Sequence, residues 1–342
     1  MTPVTAATAL IERVPLPDTL VRAGIAHLVG RTSRKLARAE GPAEAAFAQL
    51  MAAAPIAVRP DAANAQHYEV PAEFFSLVLG ARRKYSCCLY GDDAASLEQA
   101  EELALAETAG HAALANGQQI LELGCGWGSL SLWMAEHFPL SQITAVSNSS
   151  GQRAAIEQQA SARGLTNLRV ITADMNEFAT DERFDRVVSV EMFEHMTNWQ
   201  ALLRRVHTWL RPDGTMFIHV FAHTTTPYLF DTADKEDWIA QHFFTGGIMP
   251  SHNLLRLVAT GLFEVEDEWR WSGSHYAKTA RDWLQRLDTR AGRVTEVLQP
   301  VYGRDTALWT RRWRLFFLAT EGLFGHAGGA EWGISHYRLR PV

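Results

Sequence analysis

The stretch Ile120-Leu121-Glu122-Leu123-Gly124-Cys125-Gly126-Trp127-Gly128-Ser129-Leu130 limits what this chain can become more than any other. An apolar strand runs straight into three glycines within five residues, and a helix is expected directly after them, over Ser129 to His137. Glycine at 124, 126 and 128 lets the backbone turn tightly and lets a bound molecule approach without meeting a Cβ. The helix would then offer its N-terminal N–H groups to an anionic group. Glu122, two residues before the first glycine, and the spacing GCGWG set this turn apart from the GxGxxG of dinucleotide sites. The pattern predicts a nucleotide-type cofactor lying across the end of a parallel sheet.

The rest of the chain supplies such a sheet. Strands are expected at 119–123, 142–147, 168–172, 185–190 and 215–221, with helices near 129–137, 150–162 and 199–210 between them. This alternation makes a mostly parallel α/β sheet covered on both faces. Its strands end at Gly124, Ser147-Asn148, Asp174-Met175, Glu191 and Phe221, so five loops should share one crevice. Leu97 to Ala115 reads as a helix packed on the sheet. After 222 the alternation lapses for about 40 residues, which reads as a substrate lid. Beyond it come a strand over Glu264 to Trp271, helices over Ala277 to Thr289 and Trp309 to Thr320, and a last strand near Trp332 to Leu339. The first 60 residues hold helical pieces at Leu20 to Leu28 and Ala43 to Ala54, broken by prolines, and read as a small helical cap.

Composition narrows the partners. With 47% hydrophobic and 20% charged residues and a net charge of −6, the chain has the make-up of a globular protein and lacks the basic excess that nucleic acid requires. Cys87, Cys88 and Cys125 cannot form a disulfide framework, no CxxC or His-rich metal pattern occurs, and no 18-residue apolar run is present. The opening MTPVTAATALIERVPLPD carries acid and proline where a secretory leader needs base and an apolar run, so the expected location is cytoplasmic, without stable membrane insertion and without a metal. Aromatic residues are 10% of the chain; Trp238, Phe243, Phe244, Trp269, Trp271, Tyr276 and Trp332 fall in the lid half. Most should be core, and a few could cage a flat or cationic substrate. Arg304, Arg311, Arg312 and Arg314, beside Trp309, Trp313, Phe316 and Phe317, fit either a membrane-touching patch or a solvated basic helix face.

LELGCGWGSL resembles motif I of the S-adenosylmethionine-dependent methyltransferases. Together with YSCCLY, SVEMFEHM, FFTGGIMPS, GSHYAKT and EWGISHY, it resembles the cyclopropane-fatty-acid synthase and coclaurine N-methyltransferase family, on the coclaurine N-methyltransferase side, from about residue 64 to the C-terminus. The resemblance implies a class I methyltransferase fold: a Rossmann-like, mostly parallel seven-stranded sheet with helices on both faces. It implies a helical cap over 1–63 and a methyltransferase domain over 64–342 with a lid near 222–262. S-adenosyl-L-methionine would be the cofactor, with Tyr85 and Ser86 holding its carboxylate beside Glu122 and the Gly124–Gly128 turn. The strand end Ser147-Asn148 and Gln152 would take the ribose in place of the acid found in many other methyltransferases, and Asp174 and Met175 would edge the adenine.

Glu191, Glu194 and His195 place three titratable groups within five residues at the end of the fourth strand. An ammonium has no lone pair until a base removes its proton. Glu194 and His195 could share that duty, while Glu191 holds the amine and stabilises its cationic form. The expected reaction is N-methylation of a small, partly hydrophobic amine; a homodimer is left open. The alternative is a cyclopropane-fatty-acyl-phospholipid synthase or C-methyltransferase acting on unsaturated acyl chains. Cys87, Glu194, His219 and Tyr276 match positions where the lipid enzymes hold a bicarbonate, and Phe221 and Phe244 would border the same substrate space. Against the lipid reading, Glu191 stands where those enzymes carry a small residue, and an unpaired buried charge is costly.

Overall fold

The computed structural model describes residues 2–38, 43–58, 70–91 and 96–342. Seven strands form one sheet: β1 (Gln119–Leu123), β2 (Gln142–Ser147), β3 (Leu168–Thr172), β4 (Phe184–Val190), β5 (Leu210–His223), β8 (Phe263–Ser272) and β9 (Trp332–Pro341). Their order is β3-β2-β1-β4-β5-β9-β8. The first five pair in parallel, and β9 inserts antiparallel between β5 and β8. Strand order runs outward in opposite senses from β1, to β2 and β3 on one side and to β4 and β5 on the other, and that switch opens the crevice at the carboxyl ends of β1 and β4.

The sequence shows why these elements form. β1 is buried from Ile120 to Leu123, as a strand covered on both faces must be. Helix α5 (Leu97–His111) starts with a capping box, Ser96 accepting from the Gln99 N–H and Gln99 accepting from the Ser96 N–H. It stops at His111, four residues short of the expected end, and Ala113 takes a left-handed φ of 51°. Helix α6 (Ser129–His137) springs from Gly128, and helix α7 (Ser150–Ala162) is capped by Ser149, which accepts from the Gln152 N–H. Helix α8 (Trp199–Trp209) is capped by Asn198 and leads directly into β5, whose register against β4 shifts between Phe184 and Arg186, so residues 210–214 form a bulge ahead of the strand expected at 215–221.

Among the described residues of the first 60 there are three helices: α1 (Pro3–Arg13), α2 (Asp18–Leu36) and α3 (Ala43–Ala52). The sequence reading missed α1, because its prolines at 3 and 15 lie just outside or at the first turn, where proline is tolerated. The expected boundary at 63/64 and the residues from Asn64 to Glu69 lie outside the described residues. Helix α4 (Ala72–Val78) comes next, and Phe74, Phe75 and Val78 on it are fully buried.

Beyond β5 the insertion holds a two-strand ladder, β6 (Tyr228–Leu229) with β7 (Ile248–Met249), and two short helices, α9 (Trp238–His242) and α10 (Leu254–Ala259). After β8 come α11 (Gly273–Thr289), α12 (Ala291–Tyr302) and α13 (Thr306–Phe324). Phe243 stacks on Phe316 at 4.3 Å and meets Trp313 at 5.1 Å, which ties the insertion to α13. Phe243, Trp271, Tyr276 and Trp332 are core residues, as expected for most of the lid-half aromatics.

The arginine group on α13 has a use inside the molecule. Arg312 pairs with Glu12 at 2.9 Å, Arg311 donates to the Glu12 carbonyl, and Arg314 pairs with Asp18 and Asp288 at 2.7 and 2.8 Å. These contacts fasten α1 and α2 to α13. Among the described residues, no helix is long and apolar enough to cross a membrane.

Candidate active site

Two adjoining cavities open at the carboxyl ends of the strands and share Gly124, Gly126, Glu191 and His195 in their walls. One is lined by Val146, Ser147, Asn148, Gln152, Asp174 and Met175. The other is lined by Tyr85, Ser86, Glu122, Trp127, Phe221, Phe244 and Tyr276, among others. The residues expected to bind cofactor thus converge, apart from Gly128, which borders neither cavity.

The three glycines divide their work. All have positive φ, at 78°, 52° and 81°. A Cβ on Gly124 would come within 2.4 Å of the Met192 side chain, and one on Gly128 within 2.6 Å of Ile156. A Cβ on Gly126 would meet no described atom within 4 Å and would project into open space. Gly124 and Gly128 are therefore glycine for packing, and Gly126 for the space a ligand would fill. Glu122 lies below, accepting a hydrogen bond from the Ser131 hydroxyl, and burial raises its carboxyl to about 7. Ser147 donates to Gln152 at 2.6 Å, so the two ribose-side residues brace each other. This open cradle, its polar rim and the N-terminus of α6 fit S-adenosylmethionine.

Glu191 follows β4 at a φ of 47°, a conformation that a non-glycine residue adopts only under constraint. The constraint is visible. Its N–H donates to the His219 carbonyl at 2.8 Å, Oε1 accepts from the Cys87 N–H at 2.8 Å and lies 3.1 Å from His219 Nε2, and Oε2 accepts from the Tyr276 hydroxyl at 2.7 Å. Burial raises its pKa against the pull of Lys84 and these donors. Burial, then the Lys84 charge, hold His219 neutral, well below the ordinary imidazole range.

Glu194 is placed differently. It sits in a short 3-10 turn, is fully buried and lines neither cavity. Oε1 accepts from the Phe221 N–H at 2.7 Å, and Oε2 has no partner among the described residues. Burial and the nearby Glu191 charge push its carboxyl well above the ordinary range. His195, one residue on, borders both cavities and stacks on Phe244 at 5.1 Å with 6° between the rings. Cys87 and His219 are fully buried behind Glu191.

The sequence reading missed Lys84 and Glu101. The Glu101 carboxylate on α5 accepts from the N–H groups of Arg82 and Lys84, and Lys84 Nζ donates to Ser86 Oγ at 2.5 Å and the Cys87 carbonyl at 2.7 Å. Together they shape the 82–87 loop that carries Tyr85, Ser86 and Cys87. A charged residue beside an apolar loop was the only signal. His111 and His336 also went unassigned.

The sheet order and the glycine cradle define a class I methyltransferase fold. The family model described as mycolic acid cyclopropane synthetase matches residues 58–327, and the chain belongs to that family. The (S)-coclaurine N-methyltransferase of Thalictrum flavum subsp. glaucum is 33% identical over 286 residues, 82% of this chain and 79% of that protein. The cyclopropane-fatty-acyl-phospholipid synthase of Escherichia coli (strain K12) is 30% identical over 224 residues, 65% of this chain but 55% of that protein. The crystal structure of coclaurine N-methyltransferase bound to N-methylheliamine and SAH matches with a TM-score of 0.92 at 29% identity, covering 99% of this chain and 100% of that one. The protein is an S-adenosylmethionine-dependent methyltransferase, and the cited relative that spans most of it transfers methyl to nitrogen.

Proposed function

We propose that the methyl acceptor is a small amine with an apolar or aromatic body, bound as its ammonium against Glu191 and His195. One observation carries the reading. The Cys87 N–H, His219 and Tyr276, three of the groups that the family resemblance assigns to a bicarbonate, are all turned on the carboxylate of Glu191. A fixed carboxylate in the place of an exchangeable ion suits a cationic substrate. An uncharged acyl chain would gain nothing from it and would leave its charge poorly compensated. Tyr85, Trp127, Phe221, Phe244 and Phe316 wall the same cavity, a surface suited to a flat or cationic body.

S-adenosylmethionine, when bound, supplies an electrophilic methyl group. Tyr85, Ser86, Glu122, the backbone around Gly126, Ser147, Asn148, Gln152, Asp174 and Met175 would hold it. Glu191 is the carboxylate that meets the ammonium, because it borders the cavity and Glu194 does not. It takes one N–H proton at its carboxylate, while His195 accepts a hydrogen bond from what remains, so that the freed lone pair is held in one direction. Glu194, acting one layer behind, holds the Phe221 backbone that forms the opposite wall. The three buried thiols, Cys87, Cys88 and Cys125, agree with a reducing, cytoplasmic setting.

The test offers labelled S-adenosylmethionine with a panel of secondary amines and, separately, unsaturated phospholipid vesicles. Label should enter the amines, and Glu191→Gln should bind cofactor normally yet lose about 10- to 100-fold in amine turnover. Label in the acyl chains, undiminished in Glu191→Gly, overturns the reading.

A further inference from the structure

Converting an ammonium into a methylated ammonium releases one proton, and Glu191 is 8% exposed. Behind it, away from the cavities, stands an unbroken file of polar rings. His219 Nε2 lies 3.1 Å from Glu191 Oε1, and His219 Nδ1 lies 2.8 Å from His336 Nε2. His336 Nδ1 lies 2.8 Å from His111 Nδ1, and His111 Nε2 lies 3.2 Å from a carboxylate oxygen of Glu107. His219 and His336 are fully buried, His111 is 14% exposed and Glu107 is 43% exposed, so exposure rises outward. We propose that Glu191, His219, His336, His111 and Glu107 form a proton wire that carries the proton of each turnover from the active site to solvent. The proposal rests on the amine reading above.

The chemistry balances with every imidazole neutral. When Glu191 is protonated, its O–H donates to His219 Nε2, His219 Nδ1–H to His336 Nε2, His336 Nδ1–H to His111 Nδ1, and His111 Nε2–H to Glu107. Each proton then moves one hydrogen bond outward. Glu191 is left ionised, Glu107 receives a proton that it passes to bulk water, and all three rings have exchanged tautomers. The wire is reset when, during a local opening, water takes the inner N–H proton of each ring and returns one to its outer nitrogen, so that every ring again donates outward. A chain of this kind needs rings that stay uncharged, and the surroundings favour that. Burial, with the Lys84 charge added, keeps His219 and His336 neutral, and burial lowers His111 despite Glu107. His111 is also fixed in place, stacked on Trp269 at 3.9 Å with 7° between the rings, and Arg338 donates to its carbonyl at 3.1 Å.

The experiment follows product and protons in one sample, by rapid quench with a pH-indicator dye in weakly buffered solution, with an amine that the parent methylates. His336→Phe and His111→Ala should each keep the first turnover near the parental rate, because the wire acts only after Glu191 has taken the proton of that turnover. Later turnovers and proton release should slow together by about 10-fold or more. Added imidazole should restore His111→Ala, whose gap opens to solvent, and leave His336→Phe slow. The ring ¹⁵N shifts of His219 and His336 in the protein without substrate should report neutral rings with one protonated nitrogen each at neutral pH. Steady-state rates within 2-fold of parent in both variants, an equal slowing of the first turnover, or doubly protonated rings would overturn the wire. If the parent methylates no amine, the amine reading itself has failed, and the ¹⁵N shifts still judge the ring chain separately.

Discussion

The two halves of the site are built in opposite ways. The cofactor half is made of the loops at successive strand ends: the glycine turn after β1, Ser147 to Gln152 after β2, and Asp174 to Met175 after β3. Its braces are short, such as Ser147 to Gln152 and Ser131 to Glu122, five and nine residues apart. The acceptor half is assembled from a distance. The three groups on the Glu191 carboxylate come from 104, 28 and 85 residues away. A doubly wound sheet positions strand-end loops by its own geometry, so a cofactor cradle comes with the topology. A reactive wall must gather its groups through tertiary packing, and here it also binds the left-handed Glu191 in place.

The largest effect that could break this contrast lies in the cradle. Gly126→Val would place three carbons in the open space above the turn, so cofactor affinity should fall by at least roughly 100-fold, about 2.7 kcal/mol, beyond the stability cost of about 1–2 kcal/mol that a side chain at a φ of 52° brings. Gly128→Ala should do the reverse, because its Cβ meets Ile156 at 2.6 Å. It should cost about 1–3 kcal/mol of stability with little direct loss of affinity. Calorimetry and thermal melts separate the two, and tight binding by Gly126→Val would remove the cradle from the site.

The same contrast explains what was legible in the sequence. Strand periodicity and the glycine turn reported the sheet and the cofactor residues, because those are local patterns. The polar strand end at Ser147 is legible as part of the crevice for the same reason. Glu191 and Glu194 look alike in sequence, and nothing local says that one borders the cavity while the other faces the Phe221 backbone. That difference is made by the 3-10 turn and by β5. His336 lies in plain view within EWGISHY, yet its link to His111 depends on α5 ending at His111 and on β9 inserting between β5 and β8. Lys84 and Glu101 were missed because their bonds are to loop backbone, which leaves no residue-type signature.

A second effect sharpens the cofactor half through pH. Glu122 is raised by burial from the ordinary 4.5 to about 7. Between those values the native protein holds a proton that the unfolded chain has released, so its contribution to stability is full below about pH 4.5 and is lost as pH rises through 7. That difference corresponds to roughly 3 kcal/mol. Urea denaturation of the parent from about pH 5 to 8 should show stability falling with pH. Glu122→Gln, which can still accept from Ser131, should flatten that share of the slope. Identical slopes in parent and variant would mean that Glu122 is ionised in the native state.

The smallest effect is expected in the acceptor half, at the contact between the insertion and His195. Phe244 lies parallel to the His195 ring, and it touches Phe230 at 5.1 Å and Phe221 at 5.6 Å, so the insertion braces an imidazole that borders both cavities. Phe244→Leu keeps an apolar side chain there and removes only the stacking surface, a change of about 0.5–1.5 kcal/mol. If the stack holds His195 in the orientation that directs the amine lone pair, part of that energy is lost in the transition state and kcat should fall by about 2- to 10-fold. Cofactor affinity should not change, because the residues of the cradle come from the strand ends. The outcome separates the halves at their seam. A weakened cofactor with unchanged kcat would place Phe244 with the cofactor half, whereas no change in either would show that His195 needs no support from the insertion.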